Sequence, residues 1–304
     1  MSPALEVVGL DKSFDGVHAV NNVSFSIEPG QTLAIIGPNG SGKTTTLNLV
    51  TGTLKPDAGQ VRLAGRDIAG HSPEEVAEHG LTRTFQNGRV FATLTVADNI
   101  EVGLHSRLSA QRPFKKLAHL PVLRWLPLLA EVAVALVTTP GVKAEREQVA
   151  TRVDNQVGRF RERLGPRVEH RTHTLSYANR RRTEIARALV SDPDVLVLDE
   201  PTAGMNQSET AEVLQQLLDL KASGQTILLV EHKLDLVMTL SDQVIVMDEG
   251  RLIAAGRPED VRHDPRVISA YLGRRHQAEE PDEVLVVHDP LEVAEPTEQE
   301  QTHD

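Results

Sequence analysis

No stretch of this chain restricts its fold as tightly as Gly37-Pro38-Asn39-Gly40-Ser41-Gly42-Lys43-Thr44. The spacing fits G-x-x-x-x-G-K-[ST], in which glycines let the backbone curl until several N–H groups converge on phosphate oxygens. The flanks suit that geometry. Residues 32–36 (Thr-Leu-Ala-Ile-Ile) form a short apolar run that reads as a buried strand, and residues 44–50 start a helix directly after the loop. A helix N-terminus adds partial positive charge where the phosphates would lie. In a loop of this kind Lys43 reaches the β- and γ-phosphates and the Thr44 hydroxyl binds Mg²⁺. A glycine turn that merely joins a strand to a helix is the competing reading.

Composition narrows the alternatives. The chain of 304 residues has room for one large domain or two modest ones, and with only 3% aromatic residues its core must be mainly aliphatic. The absence of cysteine excludes disulfides, thiolate metal sites and cysteine nucleophiles. The net charge of −11 is uneven: residues 274–304 hold ten acidic and two basic side chains, a balance of −8, which leaves −3 for the rest. The acidity therefore belongs mostly to a tail, and no basic stripe points to nucleic acid. The N-terminus shows no charged segment followed by an apolar one, so no signal peptide is expected. The apolar stretch 117–142 is broken by charges and prolines, and its longest clean run, residues 132–137, is far short of the ~20 residues that a membrane span needs.

Along the chain, residues 5–8 and 20–27 read as strands, with Phe14 between them ahead of a glycine turn, and residues 60–63 read as a third. Short strands with tight turns at this end predict an antiparallel patch beside the nucleotide-binding core. Ser72-Pro73 is an N-cap followed by proline at the first helical position, and residues 80–86 read as a strand ending at Gln86. From Thr95 to Ser176 the pattern is helical, with Val96, Ile100, Leu104 and Leu108 at helical spacing and a charged helix over 145–164, which predicts a helical subdomain at about 87–178 inserted into the core. A helix over 176–189 leads to residues 195–198 (Val-Leu-Val-Leu), an unbroken β-forming run of the kind found in central parallel strands. An amphipathic helix over 208–222, a buried strand over 226–230, a hairpin around Asp248-Glu249-Gly250 and a last helix over 258–272 follow. Beyond Gly273 the composition predicts a disordered tail, so the folded domain is expected over 1–273 and the acidic tail over 274–304.

A phosphate loop alone says only nucleotide. Asp199-Glu200 adds to it, because ligand groups collect at the C-terminal ends of strands in parallel sheets. Asp199 there is a candidate to hold Mg²⁺, and Glu200 to orient or deprotonate an attacking water. A third element is Leu175-Ser176-Tyr177-Ala178-Asn179, followed by three arginines, about twenty residues before that acidic pair. With it the set resembles the ATP-binding-cassette (ABC) ATPases, over residues 4–273 and with the motifs in family order. The resemblance implies a P-loop NTPase (RecA-like) α/β core with an antiparallel β subdomain and an inserted helical subdomain. It implies that ATP and Mg²⁺ are bound, with Gly37, Asn39, Gly40, Gly42, Lys43, Thr44 and Thr45 around the phosphates and Phe14 stacked on adenine. Gln86 then contacts Mg²⁺ and the membrane partner, His232 touches the γ-phosphate, and Ala203-Gly204-Met205-Asn206 lies at a dimer contact. Ser176 and the Ala178 N–H act in trans, on ATP held by a second ATPase subunit.

Arg83-Thr84-Phe85-Gln86, Ser176-Tyr177 with Arg181-Arg182, Glu231-His232-Lys233 and Ile268-Ser269-Ala270-Tyr271-Leu272-Gly273 narrow the resemblance to the longer ATPase of branched-chain amino acid importers. Such systems combine two different ATPase subunits, two permease subunits and an extracytoplasmic solute-binding protein, with the ATPases on the cytoplasmic face of a bacterial membrane. Urea or amide import and lipopolysaccharide export share parts of the pattern. Two positions depart from it: Ala178 stands where the family has Gly, and Asn179 where it has Gln. Glycine permits close backbone approach, so the Ala178 methyl is expected to weaken the partner's ATP site, which makes a partly degenerate regulatory subunit the alternative reading.

Overall fold

The computed structural model describes residues 2–84, 90–105 and 140–278. Its strands are β1 (Leu5–Phe14), β2 (Val17–Ile27), β3 (Thr32–Ile36), β4 (Ala58–Leu63), β5 (Arg66–Asp67), β6 (Leu81–Arg83), β7 (Val195–Asp199), β8 (Thr226–Val230), β9 (Gln243–Asp248) and β10 (Arg251–Gly256). Its helices are α1 (Lys43–Val50), α2 (Pro73–Glu78), α3 (Val96–Val102), α4 (Pro140–Arg159), α5 (Arg161–Leu164), α6 (Tyr177–Leu189), α7 (Gln207–Ala222), α8 (Leu234–Leu240), α9 (Pro258–Arg262) and α10 (Pro265–Ala278).

The strands form two sheets. β2-β1-β4-β5 is antiparallel throughout and is the expected patch beside the core. The second sheet has the order β10-β9-β3-β8-β7-β6 and is parallel except for β10. Every residue of β3, β7 and β8 is buried, as unbroken apolar runs require. Successive side chains on these strands point to opposite faces. Ala34, Ile36, Leu196, Leu198, Ile227 and Leu229 face a core shared with α6, α7 and α8. Leu33, Ile35, Val195, Val197, Leu228 and Val230 face a second core, closed by α1 and the antiparallel sheet. The C-terminal ends of β3, β7 and β8 thus lie side by side between two packed layers.

Several caps follow the sequence. Ser72 and Glu75 form a capping box at α2 with Pro73 at its first turn. The hairpin between β9 and β10 turns at Glu249 (φ 45°) and Gly250 (φ 77°), two consecutive left-handed residues as a type I′ turn needs.

Other expectations are corrected. β1 runs on to Phe14 and β2 begins at Val17, so both strands are longer than the alternation marks, because their outer halves face solvent. The strand expected to end at Gln86 ends at Arg83, and Gln86 lies outside the described residues, as do Leu108 and nearly all of the apolar stretch 117–142. The helix expected over 145–164 is broken at Phe160, which leaves helical geometry (φ −109°) and buries its ring in the core. The last helix is likewise two. Pro265 has no N–H with which to continue α9, and Asp264 instead caps the new start by accepting from the Arg266 N–H at 2.8 Å. α10 then extends to Ala278, past the boundary expected at Gly273, while residues 279–304 lie outside the described part. No helix among the described residues is long and apolar enough to cross a membrane.

Candidate active site

The loop after β3 is shaped by close approaches as much as by its own glycines. Gly37 (φ 149°) and Gly42 (φ 100°) both lie where side chains are disfavoured. A Cβ on Gly37 would come within 2.1 Å of the Met247 carbonyl, and one on Gly42 within 2.4 Å of the Ala19 carbonyl. The loop is therefore wedged between β9 and β2. Lys43 opens α1, and its Nζ folds back to donate to the Gly37 and Pro38 carbonyls, each at 2.8 Å. Asn39, Gly40 and Thr44 are exposed beside it and Thr45 is half-buried. A cation, a helix start and an open rim of backbone are thereby brought to one place, an arrangement suited to an anionic polyphosphate.

β7 ends beside this loop. The Asp199 carboxylate is 2% exposed and accepts at 2.8 Å from Nη2 of Arg83, which is itself 8% exposed. The other Arg83 nitrogen donates to Asn48 Oδ1 at 2.7 Å and Thr51 Oγ1 at 3.2 Å, tying the ends of β6 and β7 to α1. Asp199 Oδ1 is buried with no hydrogen-bond partner among the described residues. An orphaned carboxylate oxygen at the end of a strand beside the phosphate loop fits a hard divalent cation that keeps most of its ligands from phosphate and water. Glu200 differs from its neighbour. It is half-buried, takes a left-handed backbone (φ 47°), and its N–H donates to the Val230 carbonyl at 2.8 Å.

At the end of β8, Glu231 is buried and His232 has 58% of its side chain exposed. The Glu231 carboxylate accepts from the Thr202 hydroxyl and, at 3.0 Å, from the His232 N–H. Lys233 Nζ reaches the same loop, donating to Thr202 O at 3.1 Å, Met205 O at 3.3 Å and Thr210 Oγ1 at 2.8 Å. The segment 201–206 is thus bolted to the turn that carries His232. Asn206 also begins α7 through a capping box with Glu209.

Ser176, Ala178 and Asn179 stand at the start of α6. Ser176 is exposed, and its hydroxyl caps the helix by accepting from the Asn179 N–H at 3.4 Å. Ala178 is 2% exposed and belongs to the core, so its methyl fills interior space and is not added to the outer face. The Asn179 amide accepts from Arg182 at 2.9 Å, and Arg182 in turn pairs with Glu212 at 2.6 Å. Burial lowers the Arg182 pKa, partly offset by Glu212.

Phe14 is 45% exposed at the end of β1, with Lys12 Nζ 5.5 Å from its ring centre, so it is an available stacking surface and not a core aromatic. Tyr271 on α10 was legible only as part of a C-terminal pattern. Burial raises its phenol pKa, and the Gly37 backbone opposes the shift. Arg83 and Glu231 also escape single-residue reasoning, since each gains its meaning from a distant partner. Next to Arg83, a largely apolar groove of about 620 Å³ runs between α2 and α3, lined by Pro73, Ala77, Leu81, Val90, Phe91 and Val102 among others.

Comparison with known proteins agrees with this geometry. A family profile described as "ABC transporter" matches residues 20–203, and one described as "Branched-chain amino acid ATP-binding cassette transporter" matches residues 251–277. The chain is 36% identical over 275 residues to the high-affinity branched-chain amino acid transport ATP-binding protein LivG of Escherichia coli K12, covering 89% of this chain and 98% of that protein. It is 37% identical over 275 residues, with the same coverage, to BraF of Pseudomonas aeruginosa, which carries the same description. Among solved structures, an ATP-binding cassette of an ABC transporter in its ADP conformation superposes with a TM-score of 0.72 at 31% identity, over 90% of this chain and all of that one. A nucleotide-free cassette superposes with a TM-score of 0.71 at 30% identity, over 89% and 99%.

Proposed function

The chain belongs to the ABC transporter family, and from that premise we propose that it is the ATP-hydrolysing subunit powering uptake of branched-chain amino acids through a membrane permease. The observation that carries the reading is the convergence of Lys43, Asp199, Glu200 and His232 at the adjoining ends of β3, β7 and β8. The 251–277 match and the names of the relatives favour branched-chain amino acids over urea, amides or lipopolysaccharide.

Each side chain has a task that follows from its surroundings. Lys43, whose ammonium rests on two loop carbonyls, transfers those hydrogen bonds to β- and γ-phosphate oxygens when ATP enters, with backbone N–H groups of residues 39–45 on the remaining oxygens. Thr44 and Asp199, with Gln86, would hold Mg²⁺, which when bound neutralises charge on the phosphates. Glu200 orients the attacking water and accepts its proton. His232, exposed and held at its backbone by Glu231, donates to the γ-phosphate. Phe14 stacks on the adenine.

The same reading gives the partners. A second ATPase subunit closes over the nucleotide, with Ser176 and the residue 178 backbone of one chain facing the ATP of the other. One of the two permease subunits docks on the apolar groove beside Arg83, and an extracytoplasmic solute-binding protein delivers the solute. The chain would then work at the cytoplasmic face of the membrane.

The test is transport of labelled leucine into proteoliposomes carrying the assembled complex. ATP-dependent uptake is expected with the natural chain, with hydrolysis lost in Glu200→Gln and nucleotide binding lost in Lys43→Ala. Uptake of urea but not leucine would overturn the solute, and full hydrolysis by Glu200→Gln would overturn the assigned chemistry.

A further inference from the structure

Arg181 is 1% exposed, on the second turn of α6, and so is one of the few cations buried in the core. Its guanidinium donates to the Asp199 carbonyl and, through Nε at 3.4 Å, to the Pro201 carbonyl. Glu184, also 1% exposed, pairs with it at 2.6 Å from one turn further along the helix. Those two carbonyls flank a single residue, Glu200. Glu200 also takes a disfavoured left-handed backbone, a conformation that persists only where the surroundings hold it. The Val230 carbonyl holds its N–H from the β8 side. Arg181 holds, from the α6 side, the peptide plane before Glu200 and the carbonyl of the residue after it. The backbone around Glu200 is therefore gripped at three points.

We infer that Arg181, oriented by Glu184, is a positioning residue that sets where the Glu200 carboxylate stands and ties it to the helix that begins at Ser176. The inference rests on the reading of Glu200 as the group that activates water. A planar guanidinium spans two carbonyls and one carboxylate at once, whereas a lysine ammonium in the same space keeps the charge and the pair with Glu184 but offers no fixed fork. Because buried Glu184 would be stranded by a simple deletion of Arg181, the useful variants are Arg181→Lys and the double change Arg181→Met with Glu184→Met.

The experiment is steady-state hydrolysis by the full chain in its assembled transporter, with KM for MgATP, kcat and thermal midpoint read for each variant and for Glu200→Gln. Displacement of a reacting group by about 1 Å costs on the order of 10²-fold in rate. The expected result is a kcat lowered on that order in the double variant and less severely in Arg181→Lys, with KM unchanged and cooperative melting retained. Wild-type kcat in either folded variant, while Glu200→Gln is inactive, would overturn the positioning role alone. Parallel loss of kcat, ATP affinity and melting temperature in Arg181→Lys would show a purely structural residue and overturn it as well. Full activity in Glu200→Gln would remove the reading of Glu200, and the inference with it.

Discussion

Arg83 and Asp199 form an ion pair at 2.8 Å across the adjoining ends of β6 and β7, with 8% and 2% of their side chains exposed. Removing one partner of such a pair leaves an uncompensated buried charge, which costs about 3–5 kcal/mol. Arg83→Ala is accordingly expected to lower the unfolding free energy from denaturant titration by that much, and to do so far less in an Asp199→Asn background, where no carboxylate is stranded. Equal losses in both backgrounds would mean that the pair contributes nothing through its charge. Because Arg83 also holds Asn48 and Thr51, part of the single-variant loss should survive in the double variant as slackened contact between α1 and the sheet.

Gly42 and Gly65 separate two reasons for a glycine. Both have positive φ, 100° and 82°. A Cβ at Gly65 meets nothing within 4 Å, whereas one at Gly42 would lie 2.4 Å from the Ala19 carbonyl, which is backbone and cannot swing aside. Gly65→Ala should cost only the left-handed conformation, about 1–2 kcal/mol. Gly42→Ala adds the collision of the loop with β2, so it is expected to lose more stability than Gly65→Ala and to lose nucleotide binding, as measured by urea unfolding and by nucleotide titration. Similar costs at the two positions would refute the wedged geometry of the loop.

The difference between what was legible and what was not has a physical pattern. The phosphate loop, β7, β8 and the β9–β10 hairpin are written in local composition: unbroken apolar runs, glycines at fixed spacing, an acidic turn closed by glycine. β5, at two residues, is too short to carry any periodicity, and the run read as a strand over 80–86 carries only the three residues of β6. Lys43, Asp199 and Glu200 stood out as candidates because each sits at a glycine loop or a strand end, and His232 only through the family pattern. Arg83 was not, since its partner lies 116 residues away and a charge at a strand end reads as surface. The direction of the Ala178 methyl was equally hidden: a motif position tells which residue departs, but only packing tells which way its Cβ points.

Thr202 and Glu231 are 29 residues apart, and their hydrogen bond joins the segment before α7 to the turn that carries His232. Both side chains are buried. A double-mutant cycle with Thr202→Val and Glu231→Gln should give a coupling energy of about 0.5–3 kcal/mol, the range found for buried residues in one network. The cycle should appear in hydrolysis as well as in stability, because Glu231 also accepts from the His232 N–H. Additive effects within ~0.5 kcal/mol would show that the two loops are independent.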